Sequence, residues 1–283
     1  MPGDGRLVGE TLKIGFVGSG LIAWAHALAI GSMVEQGTVD AQIVSVFDTD
    51  PSRAAGFATH NRATVARSAE EVAETCDAVF VCTSTAGHLH AVEAAVGCAR
   101  AVFCEKPLAR DLAEAERLAA VVEARAIPVQ VGLVLRTAPV FRGLREVVRS
   151  GAIGRPMAVV FRDDQFFPIQ GHYGSRWRAD AAIAGSGALL EHSIHDVDIM
   201  RMCFGAIASL SATTGNFAGH GGIEDVAVGT IRFASSVLAT LVSVWHNVLV
   251  RPSSRRVEVF FENGYVSFDD DFTGPLTIET SVG

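Results

Sequence analysis

The sequence predicts an α/β chain in two halves: a doubly wound parallel sheet, then an α+β domain built on a large, mostly antiparallel open sheet. Three observations lead there. Strand-like and helix-like runs alternate from Lys13 to about Val134, the pattern of a parallel sheet with right-handed crossovers. A glycine fingerprint stands at the first strand-to-helix turn. From Ile207 onward the chain carries strand patterns alone.

The elements follow in order. KIGFVG is a β-rich run broken at Gly18, and the periodicity of LIAWAHALAIGSMVEQG predicts a helix ending at Gly37. AQIVSVFD is the second strand. SAEEVAET opens with Ser68 and Glu71 at capping-box spacing, where each side chain can bond the other residue's N–H. DAVFVCT is almost wholly apolar, as suits a strand covered on both faces. HLHAVEAAVGCA reads as a helix and AVFCEKP as a strand; Asp111 and Glu114 cap the helix LAEAERLAAVVEARA, and PVQVGLV is a sixth strand. The domain boundary is expected between Ile127 and Arg136.

In the second half PVFRGLREVVRSG predicts a helix with Pro139 at its start and Gly151 after its end. GALLEHSIHDVDIMRMCFG predicts one further helix, stopped by Gly205. Five strands follow, IASLSATTGNF, EDVAVGTIRF, SVLATLVSVWHNV, RRVEVFFEN and YVSFDDD, with helices expected on one face of their sheet. Asn263-Gly264 between the last two is a type I′ hairpin signal.

A length of 283 residues suits one large or two medium domains, at about 100–200 residues each. A net charge of −8 argues against non-specific nucleic-acid binding, which needs a basic surface. The five cysteines form no C-x-x-C pair, so packed, reduced thiols in a reducing, cytoplasmic compartment are expected, and no metal site. The start lacks the apolar core of a secretory signal, and its first ten or so residues are expected to be a mobile tail. No run approaches the ~18 apolar residues of a membrane span.

Gly18-Ser19-Gly20-Leu21-Ile22-Ala23 follows a strand, opens a helix and lies first in a βαβ unit. That context turns a weak string into a dinucleotide-binding loop. Gly18 permits the turn, Gly20 lets the backbone approach a pyrophosphate, and Ala23 keeps helix and strand close. Free N–H groups at the helix start favour the anion. Asp48, at the end of the second strand, is the acid expected to accept from a ribose and to repel a 2′-phosphate, favouring NAD over NADP. Arg53 could soften that preference, and the other reading of Asp48 is a surface acid capping the helix after Pro51.

Ligands of such sheets bind beyond the carboxyl ends of the strands, where CTSTAGH and CEKP both fall. This places Thr83, Ser84, His88 and Glu105 with Gly18, Gly20, Leu21, Ile22 and Asp48 as cofactor-binding candidates. Lys106 is expected at the nicotinamide end; the alternative is a solvated surface lysine.

At these residues the chain resembles the glucose-fructose oxidoreductase / inositol dehydrogenase / MocA (Gfo/Idh/MocA) family. The resemblance rests on VGSGLIA, VCTSTAGHLHA, FCEKPLA, GLVLRTAPVFRGLREVVRSGAIG and GALLEHSIHDVDIMRMCFG, from about Lys13 to Gly205. It implies a Rossmann domain over residues 1–130 and a substrate-binding and oligomerisation domain over 131–283. It further implies NAD(P)-dependent hydride transfer to or from a secondary alcohol or ketone of a sugar, inositol or related polyol, in a homodimer or homotetramer. Carried across, Lys106 matches the catalytic lysine and EHSIHDVD the acid-x-x-x-His-x-x-Asp helix, which assigns His195 to proton transfer. Residues 191, 195 and 198 would share one helical face, with Glu191 and Asp198 binding substrate or orienting the histidine. The alternative for His195 is a structural histidine satisfied by Asp198.

Two departures stand out. Ser84 occupies a position where that family commonly has proline, which leaves the loop's path open. Members also run some tens of residues further, so the family's C-terminal contacts are not expected within this stretch. FRDDQFFPIQGHYGSRWRAD reads as one loop crowded with Asp163, Asp164, Gln165, His172, Tyr173, Trp177 and Arg178. Gln165, Tyr173, Trp177 and Arg178 are taken as substrate-binding candidates, since polyol recognition wants hydrogen-bonding groups around an aromatic surface. An ordered surface loop is the other reading. His246 reads as a packed sheet histidine, and Arg136 and Pro139 as structural. Two rival functions remain: a glycosidase using bound NAD as a transient oxidant, and a non-catalytic dinucleotide sensor.

Overall fold

Residues 11–98, 100–272 and 274–281 are described by a computed structural model. The expected N-terminal tail lies outside them. The chain divides into two units after Gly132.

The first unit opens with β1 (Leu12–Val17), α1 (Leu21–Glu35), β2 (Ala41–Phe47), α2 (Pro51–Asn61), β3 (Thr64–Val65) and α3 (Ala69–Thr75). It continues through β4 (Ala78–Val81), α4 (His88–Gly97), β5 (Ala101–Cys104), α5 (Leu112–Glu123) and β6 (Val129–Val131). All strand pairs are parallel, in the order β3-β2-β1-β4-β5-β6. That is the doubly wound arrangement, with the topological switch beside β1. Both faces are covered. Phe16, Ala23, Ile43 and Phe57 fill one core, and Val79, Val92, Val102 and Leu118 fill the other.

The caps of α3 and α5 share a variation on the expected box. Ser68 and Asp111 accept from the N–H groups of Glu71 and Glu114. The two glutamates reach back one residue further than the box requires, to the N–H groups of Arg67 and Arg110, and pair with those side chains too.

The second unit comprises α6 (Pro139–Ser150), β7 (Pro156–Phe166), α7 (Ala181–Ala184), α8 (Ala188–Glu191) and α9 (Ile194–Phe204). Then come β8 (Ile207–Gly215), β9 (Val226–Phe233), β10 (Leu238–His246), β11 (Ser254–Phe261), β12 (Gly264–Phe268) and β13 (Thr277–Thr280). The sheet order is β13-β12-β11-β7-β10-β9-β8, antiparallel except for β7 with β10. Phe141 and Leu144 of α6 and Ile199 and Met200 of α9 pack on the face formed by Val159, Phe161, Leu241, Val257 and Val259. On the opposite face Val160, Val228, Leu238 and Phe260 are exposed.

Three expectations are corrected here. Asp163, Asp164 and Gln165 belong to the central strand β7, so the polar loop begins only after Phe166. The helix expected from Gly187 to Gly205 is two helices, interrupted at His192 and Ser193. Both side chains turn to the buried carboxylate of Asp163, which competes with helix continuation. The hairpin between β11 and β12 forms, but neither Asn263 nor Gly264 has the positive φ of a type I′ turn. Its N–H groups at Glu262 and Asn263 donate instead to the carbonyls of Arg155 and Ile153.

Candidate active site

In the first unit the carboxyl ends of β1, β4 and β5 lie side by side and carry the candidate cofactor residues. Gly18 leaves β1 at φ +91°. A Cβ there would come within 2.6 Å of the Cys82 carbonyl, so glycine is required twice, by conformation and by contact. Gly20 is the N-cap of α1 and lends no side chain to its first-turn N–H groups. A Cβ on it would meet no protein atom within 4 Å. Packing does not demand glycine at this position. Leu21 and Ile22 are exposed beside it. Donors at a helix N-terminus next to an open backbone suit a pyrophosphate.

Asp48 completes this loop. Its Oδ2 accepts from the Ser19 N–H at 2.7 Å and from the Ser19 hydroxyl at 2.8 Å, and its Oδ1 from the Asp50 N–H. The N-cap of α2 is Asp50 and not Asp48; it accepts from Ser52 and Arg53 at the start of that helix. Those bonds, to the Ser52 hydroxyl first, hold the Asp50 carboxyl below the ordinary range. Asp48 is thereby left to the glycine loop, half-buried, with carboxylate lone pairs to spare.

After β4, Thr83 and Ser84 enter a single 3₁₀ turn, Thr85–Gly87. Ser84 has φ −64°, a value proline itself takes, so the loop can follow the same path with either residue. His88, among the cofactor candidates, is 1% exposed, and its two ring nitrogens face the carbonyls of Leu108 and Thr83 at 3.3 Å. It ties two loops together from below.

At the end of β5, Lys106 is half-buried, and its peptide bond to Pro107 is cis. Glu105 is buried, with its carboxylate turned inward to His26 and to the Lys106 N–H. Of the chain's 23 basic residues only Lys13 and Lys106 are lysine.

In the second unit His195 lies in the first turn of α9, largely buried. Glu191 is on α8, off the helix that bears His195, and 1% exposed. It accepts from Arg178 Nε at 2.8 Å, and the Arg178 guanidinium lies 4.2 Å over the Trp177 ring. Two of the substrate candidates therefore bind each other, and this pair anchors the segment after β7 to α8. Asp198 is met by Arg136, which donates through Nε at 2.6 Å and through Nη2. It is Arg136 that satisfies this carboxylate. Gln165 is buried in β7 opposite Trp245. Tyr173 is half-buried in the loop and packs on His172 and Phe166. His246 ends β10, 3.5 Å from Asp164, as a packed sheet histidine.

Beneath the first turn of α9 lies a buried ionic cluster that sequence reasoning missed. Arg255 of β11 faces its cross-strand partner Asp163 and donates to it, to Asp196 of α9 and to Asp271. His192 adds a 2.8 Å contact to Asp163. Three carboxyls share one guanidinium. Burial, then the charge of Asp163, pushes the Asp196 carboxyl up to about 7. The two-residue period of β11, counted back from Val257 and Val259, is the one local sign that Arg255 points into the core.

Residues 12–133 match the family described as "Oxidoreductase family, NAD-binding Rossmann fold", and residues 141–267 match "GFO/IDH/MocA C-terminal domain". A 1,5-anhydro-D-fructose reductase from Ensifer adhaerens is 33% identical over 236 residues, 80% of this chain and 67% of that protein. An inositol 2-dehydrogenase from Rhizobium meliloti (strain 1021) is 27% identical over 285 residues, 96% and 79% of the two chains. Among solved structures, the WlbA dehydrogenase from Bordetella pertussis, in complex with NADH and UDP-GlcNAcA, superposes with a TM-score of 0.85 at 20% identity, over 96% of this chain and 78% of that one, a likeness of fold. The chain belongs to the GFO/IDH/MocA oxidoreductase family, and its first unit is that family's NAD-binding domain.

Proposed function

We propose that this oxidoreductase transfers a hydride between NAD and a secondary carbinol or ketone carbon of a sugar, inositol or related polyol. The observation that carries the proposal is Lys106: one of only two lysines among 23 basic residues, at the carboxyl end of β5 in the nucleotide-binding sheet, with its backbone N–H held by the Glu105 carboxylate. The inositol dehydrogenase and anhydrofructose reductase among its relatives support the substrate class.

NAD supplies the hydride acceptor when bound. Gly18 to Ile22 would hold its pyrophosphate, and Asp48 would receive the adenosine ribose. In the oxidative direction the substrate hydroxyl loses its proton as C–H leaves as hydride. His195 takes that proton as general base. Lys106 donates a hydrogen bond to the same oxygen and stabilises the negative charge that develops there. Glu191 with Arg178, and Asp198 with Arg136, fix the surroundings of the histidine, while Gln165, Tyr173 and Trp177 present hydrogen-bonding and aromatic surface to the polyol. The exposed apolar face of the second sheet is the proposed surface for a homodimer or homotetramer.

The test is a panel of polyols, inositols and sugars offered with NAD and NADP, followed at the nicotinamide absorbance. Stoichiometric NADH formation or consumption with at least one of them, faster with NAD than NADP, is expected. Release of free sugar from glycosides without net NADH would put a glycosidase in its place.

A further inference from the structure

We propose that His26, on the helix that starts at the phosphate loop, is a positioning residue for Lys106 and acts through the Glu105 carboxylate. The proposal rests on the reading of Lys106 as the donor to the reacting oxygen.

Glu105 stands between the two. Its Oε1 lies 2.7 Å from His26 Nε2, and its Oε2 accepts from the Lys106 N–H at 3.0 Å. Its side chain is 9% exposed. Burial alone would raise its carboxyl, but the hydrogen bonds from His26 and from the Lys106 N–H, with the charges of both residues, outweigh that and hold it below the ordinary value. An ionised carboxylate can only accept, so His26 Nε2 carries the hydrogen and donates.

The surroundings leave this triad little freedom. The imidazole meets Phe103 edge-on at 4.8 Å and lies 5.6 Å from Phe80; those two phenyl rings stack on each other at 4.9 Å. On the other side a Cβ at Gly132 would come within 3.1 Å of the carboxylate. The ring is fixed by aromatic packing, the carboxylate by the ring, and the backbone at Lys106 by the carboxylate. α1 also carries the pyrophosphate donors at its N-terminus, so a single helix sets both the cofactor loop and the lysine turn. Without the imidazole, a buried carboxylate keeps one partner of two; it takes a proton or swings toward water, and the Lys106 N–H loses its acceptor.

The scarcity of lysine gives a direct readout. In a Lys13→Arg protein labelled with [15N]lysine, the only lysine amide signal is that of Lys106, followed in the full chain with NADH present. His26→Leu is expected to move that signal and to speed its hydrogen exchange roughly tenfold or more, while His26→Gln, which can still donate, restores most of both. In parallel, kcat with 1,5-anhydro-D-fructose or myo-inositol as the probe should fall about tenfold or more in His26→Leu, with NADH affinity within a few-fold. Adding His26→Leu to Lys106→Met should lower turnover no further. An unchanged amide signal overturns the proposal, as does an equal loss on the Lys106→Met background, which would mark a merely structural histidine. Native turnover in Lys106→Met overturns the reading of the lysine instead, and the amide result still decides whether His26 positions it.

Discussion

Arg255→Met removes the one guanidinium from the cluster beneath α9 and leaves Asp163, Asp196 and Asp271 to one another. Asp163 and Asp196 are fully buried, and the Arg255 side chain is 5% exposed, so solvent screens little of this interaction. Removing one partner of a buried ionic network costs about 3–5 kcal/mol, because the remaining charges stay desolvated. For a unit of this size each kcal/mol lowers the midpoint by roughly 2–4 °C, so a drop of about 6–20 °C is expected near pH 8. The loss should depend on pH with a definite sign. The folded Asp196 carboxyl sits at about 7, above its ordinary 3.8, so between those values the folded chain holds a proton that the unfolded chain has released. The contribution of Asp196 to wild-type stability therefore falls as pH rises through that window. Without the arginine the folded carboxyls move higher still, so the penalty widens with pH and narrows toward about pH 5. Thermal unfolding followed by circular dichroism across that range measures both. A shift below about 3 °C at pH 8, or one equal at both ends, would refute the account of three acids sharing one cation.

Asp48→Ser is expected to weaken NAD binding and narrow its advantage over NADP, measured by titrating nicotinamide fluorescence; tighter NADP binding by the wild type would contradict the role of Asp48. Gly18→Ala must place a methyl against the Cys82 carbonyl at φ +91°, so it should lose dinucleotide binding and roughly 1–3 kcal/mol of stability, read by the same titration and by denaturant melts. Lys106→Met should lower turnover about 10²–10³-fold with NAD binding within a few-fold, and Lys106→Arg should not restore it, as initial rates with saturating NAD will decide. His195→Asn keeps a hydrogen-bonding group but cannot shuttle a proton; it should fold and bind NAD yet lose about 10²–10⁴ in turnover, together with the rising acid limb of the pH–rate profile.

Much of the first unit is legible in the sequence because its determinants are local. Apolar runs of strand length, caps at Ser68 and Asp111, and a glycine loop in its βαβ context each act within a few residues. The second unit hides what long-range partners impose. β7 is the middle strand of its sheet, yet its end reads Arg162-Asp163-Asp164-Gln165, as a surface loop would. Those acids are tolerated inside because Arg255 and Arg251 arrive from a distant part of the chain. The break in the helix before His195 is similar: His192 and Ser193 are compatible with a helix, and only Asp163, some thirty positions earlier, draws them out of it. His26 carries no local signal either, since a lone histidine on an apolar helix face is informative only once Glu105 is seen beneath it.

The division of labour between the two cations follows from the same contacts. Arg178 meets Glu191, Arg136 meets Asp198, Arg251 meets Asp164 and Arg255 meets Asp163. Two of these pairs, Arg136 with Asp198 and Arg251 with Asp164, are forked, with two nitrogens of one guanidinium on one carboxylate. A planar fork fixes a carboxylate in direction as well as charge, which is what an acid in or near a core requires. An oxygen gaining negative charge in a transition state asks for something different. It needs one donor aimed at one point, on a stem that reaches it without claiming space on either side. An ammonium meets that need; a guanidinium spreads its hydrogens over a plane and is committed to flat, paired acceptors. The same reasoning that makes arginine the natural partner for Glu191 or Asp198 makes it a poor substitute at residue 106, where charge without the right point of donation should do little better than methionine.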